Sequence, residues 1–169
     1  VYVYLGGASM NTVPDLVMSG KNINDYFGLC VSSAGDVNTD GFADIIIGSP
    51  QSDAVTTDGG TVYIYFGGIY TDNIPDAIFN GLTNSWLFGT AVSSAGDLNG
   101  DGISDIIISD PYTTGISPGR IFIYKNKLTG TDIADLKFIG TSGDYLGYSV
   151  ANAGDVNGDG YSDILVGAP

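Results

Sequence analysis

One pattern governs everything this chain can become: it repeats itself. The string FGLCVSSAGDVNTDGFADIIIGSP (Phe27 to Pro50) returns as FGTAVSSAGDLNGDGISDIIISDP (Phe88 to Pro111) and as LGYSVANAGDVNGDGYSDILVGAP (Leu146 to Pro169), at offsets of 61 and 58 residues. A second motif interleaves with it, as VYVYLGG from Val1, VYIYFGG from Val62 and IFIYKNK from Ile121. Each copy is followed by a weaker apolar run ending in Gly: LVMSG, AIFNG and LKFIG. The unit is therefore four short strands in about 60 residues, and a fixed period of that size marks a repeat architecture.

The strand reading rests on residue type and period. Ile45 to Ile47, Ile106 to Ile108 and Ile164 to Val166 are unbroken apolar runs, as in a strand covered on both faces. The VYVY-type segments are β-branched and aromatic, which suits a pleated surface. Helix is disfavoured because Glu is absent, Lys and Arg are scarce, and 26 Gly punctuate the chain. The expected class is all-β. Four-stranded antiparallel units at this period point to a β-propeller; a β-solenoid and a β-sandwich are the alternatives, the first with usually shorter turns and the second with no need of near-identical repeats.

Charge excludes several functions. Five Lys and Arg face nineteen acids, all Asp, for a net charge of −14. Nucleic-acid binding needs cations against phosphates, and no basic patch exists to supply them. There is no His, which removes Ser-His and Cys-His triads and imidazole metal sites. The single Cys can form neither an intramolecular disulfide nor a Cys-rich zinc site. No apolar run reaches about 18 residues, so no membrane span is expected, and no charged-then-apolar leader precedes Val1.

Nine of the nineteen acids sit in three registered loops: Asp36-x-Asn38-x-Asp40-Gly41-x-x-Asp44, Asp97-x-Asn99-x-Asp101-Gly102-x-x-Asp105 and Asp155-x-Asn157-x-Asp159-Gly160-x-x-Asp163. Oxygen donors at alternating positions with Gly after the third allow a tight turn to aim them at one point. Three carboxylates and one amide suit Ca²⁺, which takes six to eight oxygens in flexible geometry; Mg²⁺ would want a tighter octahedron. An EF-hand needs a bidentate Glu at position twelve, where this chain has Ile47, Ile108 and Val166. A dockerin-type loop fails for the same reason. One such string alone could be an ordinary hairpin turn; three in register predict three calcium ions per chain.

The Phe-Gly start, the D-x-N-x-D-G-x-x-D centre and the Gly-Ala-Pro-like end resemble the FG-GAP repeat of the integrin α-chain β-propeller and related secreted bacterial proteins. The likeness covers nearly the whole chain in three copies. It departs where GSP and SDP replace GAP and where Leu146 replaces Phe. The resemblance implies that backbone carbonyls of Phe42, Ile103 and Tyr161 complete the calcium sites. It also implies that two inner strands flank each acidic loop and that the VYVY-type strand is the third of its blade.

On that reading, residues 1–20 are an outer half-blade, 26–81 and 86–140 are whole blades, and 145–169 form an inner half-blade. Three blade-equivalents cannot close a ring. Two copies exchanging half-blades would close six, a homodimer; the competing expectation is a fragment of a longer seven-bladed propeller.

The function expected is a non-catalytic scaffold for adhesion or protein interaction, extracellular or at the cell surface. A carbohydrate-binding propeller lectin is the alternative, and an enzyme would need a pair of catalytic carboxylates outside the loops. Variable segments after each second strand, with Asp53, Asp58, Tyr112 and Arg120, are candidate partner contacts. Cys30, aligned with Ala91 and Ser149, reads as a packed small residue, and Trp86 as packing at a blade start.

Overall fold

The computed structural model describes residues 1–84, 86–112, 116–125, 128 and 133–169. It is all-β, with no helix among the described residues. Among the described residues there are twelve strands: β1 (Tyr2–Val3), β2 (Leu16–Val17), β3 (Cys30–Gly35), β4 (Asp44–Ser49), β5 (Thr61–Tyr65), β6 (Ala77–Asn80), β7 (Val92–Gly96), β8 (Asp105–Asp110), β9 (Arg120–Tyr124), β10 (Leu136–Ile139), β11 (Ser149–Gly154) and β12 (Asp163–Gly167). They form two four-stranded antiparallel sheets, β3-β4-β5-β6 and β7-β8-β9-β10, and two two-stranded sheets, β1-β2 and β11-β12.

The isoleucine runs divide between the two faces of their strands, as the period of two requires. Ile46 points into a core shared with Val62, Phe79, Phe88, Ile106 and Ile108, which joins the two four-stranded sheets. Ile47 points the other way, toward Met18 and Tyr65, where β1-β2 packs. Ile107, Ile121 and Ile123 meet Val150, Ile164 and Val166 of the last hairpin. The sheets thus stack face to face in chain order, held by three cores.

The expected two-sided cover holds for β4 and β8 and fails for β12. Ile46 and Ile107 are wholly buried, yet their counterpart Leu165 is 61% exposed. Its inner face has a neighbouring sheet; its outer face has none. No closed ring is present among the described residues.

Each inner hairpin carries the same irregularity. The register shifts between Ser33 and Gly35, between Ser94 and Gly96, and between Asn152 and Gly154. At each site the Gly has a positive φ, between 69° and 76°. Such a bulge bends the strand just as it enters the acidic loop.

Candidate metal centre

The loops at 36–44, 97–105 and 155–163 fold alike. Asp36 accepts the N–H groups of Asp40 and Gly41, at 3.1 and 2.9 Å. Asn38 accepts from the Asp40 N–H, while its own amide donates to Asp40 Oδ2. Asp40 Oδ1 takes the Phe42 N–H at 2.9 Å. The same network recurs through Asp97, Asn99, Asp101, Gly102 and Ile103, and again through Asp155, Asn157, Asp159, Gly160 and Tyr161. The last Asp of each loop ties it shut: Asp44, Asp105 and Asp163 accept the N–H of Val37, Leu98 and Val156.

Position within this network sets the acidity of each carboxyl. Burial pushes Asp44 above its ordinary 3.8, against the pull of the Gly67 and Val37 N–H groups, and the charges of Asp40 and Asp36 add to the rise. For Asp97 burial also raises, but N–H groups led by Gly102 and Gly100 outweigh it and hold the carboxyl low. Asp155 is held low chiefly by the Gly160 N–H.

Sequence neighbourhood and a tight turn place the predicted side-chain ligands of each set in one loop. Their carboxylates are spread over backbone donors, and among the described residues no three acidic side chains gather into a formed metal cluster. The donor chemistry itself, oxygen only and mostly anionic, fits a hard divalent cation of the calcium kind and no soft metal.

The opposite end of the inner hairpins has another character. Tyr26, Leu87 and Tyr145 hold equivalent places and share a left-handed backbone, with φ of 55°, 54° and 50°. A basin of about 410 Å³ there is lined by Tyr26, Leu29, Pro50, Leu87, Tyr112 and Tyr148 among others. Tyr112 packs its ring on Tyr145 and Tyr148, with centroids 6.0 and 6.2 Å away.

The other candidates are engaged structurally. Asp53 accepts the Asp58 N–H at 2.7 Å. Arg120 donates two hydrogen bonds from Nε to Asp110, pairs with it through Nη2, and lies 3.2 Å over the Trp86 ring. Cys30 is half-buried, its Sγ accepting the Val92 N–H at 3.4 Å. Sequence reasoning missed Asp110: burial pushes this carboxyl up to about 7, with Arg120 pulling it down. The signal available was its place opposite Arg120 in adjacent antiparallel strands.

Residues 97–166 match the model of the FG-GAP-like repeat, and residues 31–65 match that of the FG-GAP repeat. The chain belongs to the FG-GAP repeat family. It is 35% identical to integrin alpha-5 of Xenopus laevis over 161 residues, covering 89% of this chain and 15% of that protein. With integrin alpha-6 of Homo sapiens it shares 34% over 163 residues, covering 95% of this chain and 14% of that one. Integrin alpha-IIb of Mus musculus is 31% identical over 163 residues, with 89% and 16% covered. This FG-GAP chain therefore spans about 15% of the length of the curated relatives it matches. No described helix is long and apolar enough to cross a membrane.

Proposed function

We propose that this chain is a calcium-binding segment of a β-propeller that serves as a non-catalytic scaffold for adhesion or protein recognition, at the cell surface or outside the cell. Residues 26–81 and 86–140 are its whole blades; 1–20 and 145–169 are half-blades. The observation that carries the reading is the threefold loop network, in which the first Asp, the Asn and the middle Asp of each loop accept the same backbone N–H groups. Each loop would hold one Ca²⁺ through its three Asp carboxylates, its Asn amide and a carbonyl of Phe42, Ile103 or Tyr161. The ion supplies charge neutralisation: three would offset six of the fourteen net negative charges.

The family likeness supports a protein partner, and the tyrosine basin is the surface offered to it. The coverage of only 15% of integrin alpha-5 supports a segment of a longer propeller. Enzyme chemistry finds no support at Asp110, which is spent on Arg120. A second reading, glycan binding, is favoured by the Tyr26, Tyr112 and Tyr148 rings around the basin. A glycan array separates the two.

The calcium reading is tested by melting the chain in calcium and in excess EDTA. An ion that binds only the folded state stabilises it by about 2.7 kcal/mol per site at a hundredfold excess over Kd. A lower melting temperature under chelation supports the reading; an unchanged melt removes it.

A further inference from the structure

We infer that the cavity between the two four-stranded sheets is a binding site for an acidic monosaccharide, held by its carboxylate on Arg120 and Lys137. The site uses neither the acidic loops nor the tyrosine basin. It measures about 320 Å³, within the range of small-ligand sites. Asn80 and Thr83 line it from the end of β6 and the turn that follows; Arg120, Phe122 and Lys137 line it from β9 and β10.

Strand register explains why these groups converge. Asp110 lies opposite Arg120 across β8 and β9, and Phe122 opposite Lys137 across β9 and β10. Because side chains alternate with a period of two, all four stand on one face of the sheet.

The preceding repeat fills the same places differently. Ser49 and Thr61 lie opposite each other where Asp110 and Arg120 stand, and Ile78 replaces Lys137. Both hydroxyls are buried and satisfied within the chain: Ser49 donates to the Asp25 carbonyl, and Thr61 to the Ser52 hydroxyl. The fold can therefore close this place with neutral groups. Burying an ion pair instead carries a desolvation cost that the attraction between the charges repays only in part, so stability does not account for the exchange.

What the exchange supplies is an oriented cation beside a cavity. Asp110, 2% exposed, accepts from Nε and Nη2 of Arg120, and the guanidinium lies 3.2 Å over the Trp86 ring. Fixed along one edge and one face, it keeps Nη1 without a hydrogen-bond partner among the described residues. Lys137 stands with Nζ 5.5 Å from the Phe122 ring centroid and forms no ion pair among the described residues. Asp110 and Arg120 cancel, so Lys137 leaves the cavity with a net positive charge. Two of the five Lys and Arg in a chain of net charge −14 thus meet at one cavity. The overall negative field is screened beyond about 8 Å at physiological salt, so these near cations decide what the cavity accepts.

The other walls select a sugar among carboxylates. Phe88 and Phe122 meet edge to face with centroids 5.5 Å apart, an apolar wall for the C–H face of a ring. Asn80 accepts from Thr61 through Oδ1 and keeps Nδ2 without a partner among the described residues; Thr83 adds a hydroxyl. These suit ring hydroxyls. A thin acidic side chain of a protein would engage the cations and leave both walls idle.

Titration of the full chain with sodium glucuronate, in calcium buffer at fixed ionic strength, tests the site. Trp86 is the one tryptophan, so its emission reports on Arg120, while calorimetry counts the sites. Saturable uptake of one glucuronate per chain with a change in emission supports the inference, with glucose, which lacks the carboxylate, at least about tenfold weaker. Lys137→Ile, which copies Ile78, should weaken glucuronate at least about tenfold while far-UV circular dichroism is retained. Lys21→Gln removes the same charge elsewhere and should leave binding unchanged. No saturable response in the millimolar range overturns the inference, as does glucose binding as tightly or equal weakening by both variants. Tighter binding of an N-acetylated, amidated glutamate also overturns it and gives the cavity to an acidic protein side chain. None of these outcomes bears on the calcium reading, which the melt in EDTA decides separately.

Discussion

Phe79 and Tyr124 meet across the boundary between the two four-stranded sheets, their rings tilted 57° with centroids 4.6 Å apart. Phe79 is 1% exposed and Tyr124 6%. This contact holds one repeat to the next. Phe79→Ala is expected to cost about 3–5 kcal/mol, because the void opens in a core shared by both sheets and neither can collapse alone. Urea unfolding of the variant checks it through a lower midpoint.

Asp44 clamps its loop to the neighbouring hairpin by accepting N–H groups from Val37 and Gly67, both at 2.8 Å. Asp44→Asn turns one acceptor into a donor that faces an N–H. The expected loss is about 1–3 kcal/mol in metal-free buffer. Calorimetric titration should then show calcium uptake reduced by one site of three; full uptake would remove Asp44 from the ligand set.

Thr39 occupies the loop place that Gly100 and Gly158 fill in the other copies, and it does so at a φ of 66°. A β-branched residue is strained in that left-handed region. Thr39→Gly should stabilise the chain by about 1 kcal/mol, read as a higher melting temperature. The gain is net of the Thr39 hydroxyl bond to the Asn38 carbonyl.

Asp110 gives the pH dependence a sign. Its folded pKa is raised from 3.8 to about 7, so across that window the folded chain binds more protons than the unfolded one. The stabilisation from the protonated carboxyl is full below 3.8 and is lost as pH rises toward 7. Against an Asp110→Asn variant, the wild type should lose stability by up to about 1.4 kcal/mol per pH unit across the window. Parallel stability profiles for the two chains would show that Asp110 titrates as an ordinary carboxyl.

The strands were legible wherever composition and repetition agreed. Ile45 to Ile47 and Ile106 to Ile108 read as strands covered on both faces because both of their surfaces meet a neighbouring sheet within the chain. Leu165 read the same way and lies exposed, since sequence pattern records what a strand is suited to pack against and not whether the packing partner is there. The loop residues were legible from spacing, while their turn toward backbone N–H groups was not. Arg120 looked like a loop contact because its partners, Asp110 and Trp86, are brought to it only by strand pairing and side-chain stacking.

Tyr26, Leu87 and Tyr145 carry different side chains on one and the same backbone twist, and the glycine two residues on sits at a φ between 86° and 90° in all three copies. The bend is thus kept by the main chain, while the side chain above it is free to vary. Each repeat carries a slot whose chemistry can be rewritten without disturbing the cores below, so a lineage can change what the rim greets while inheriting its architecture whole.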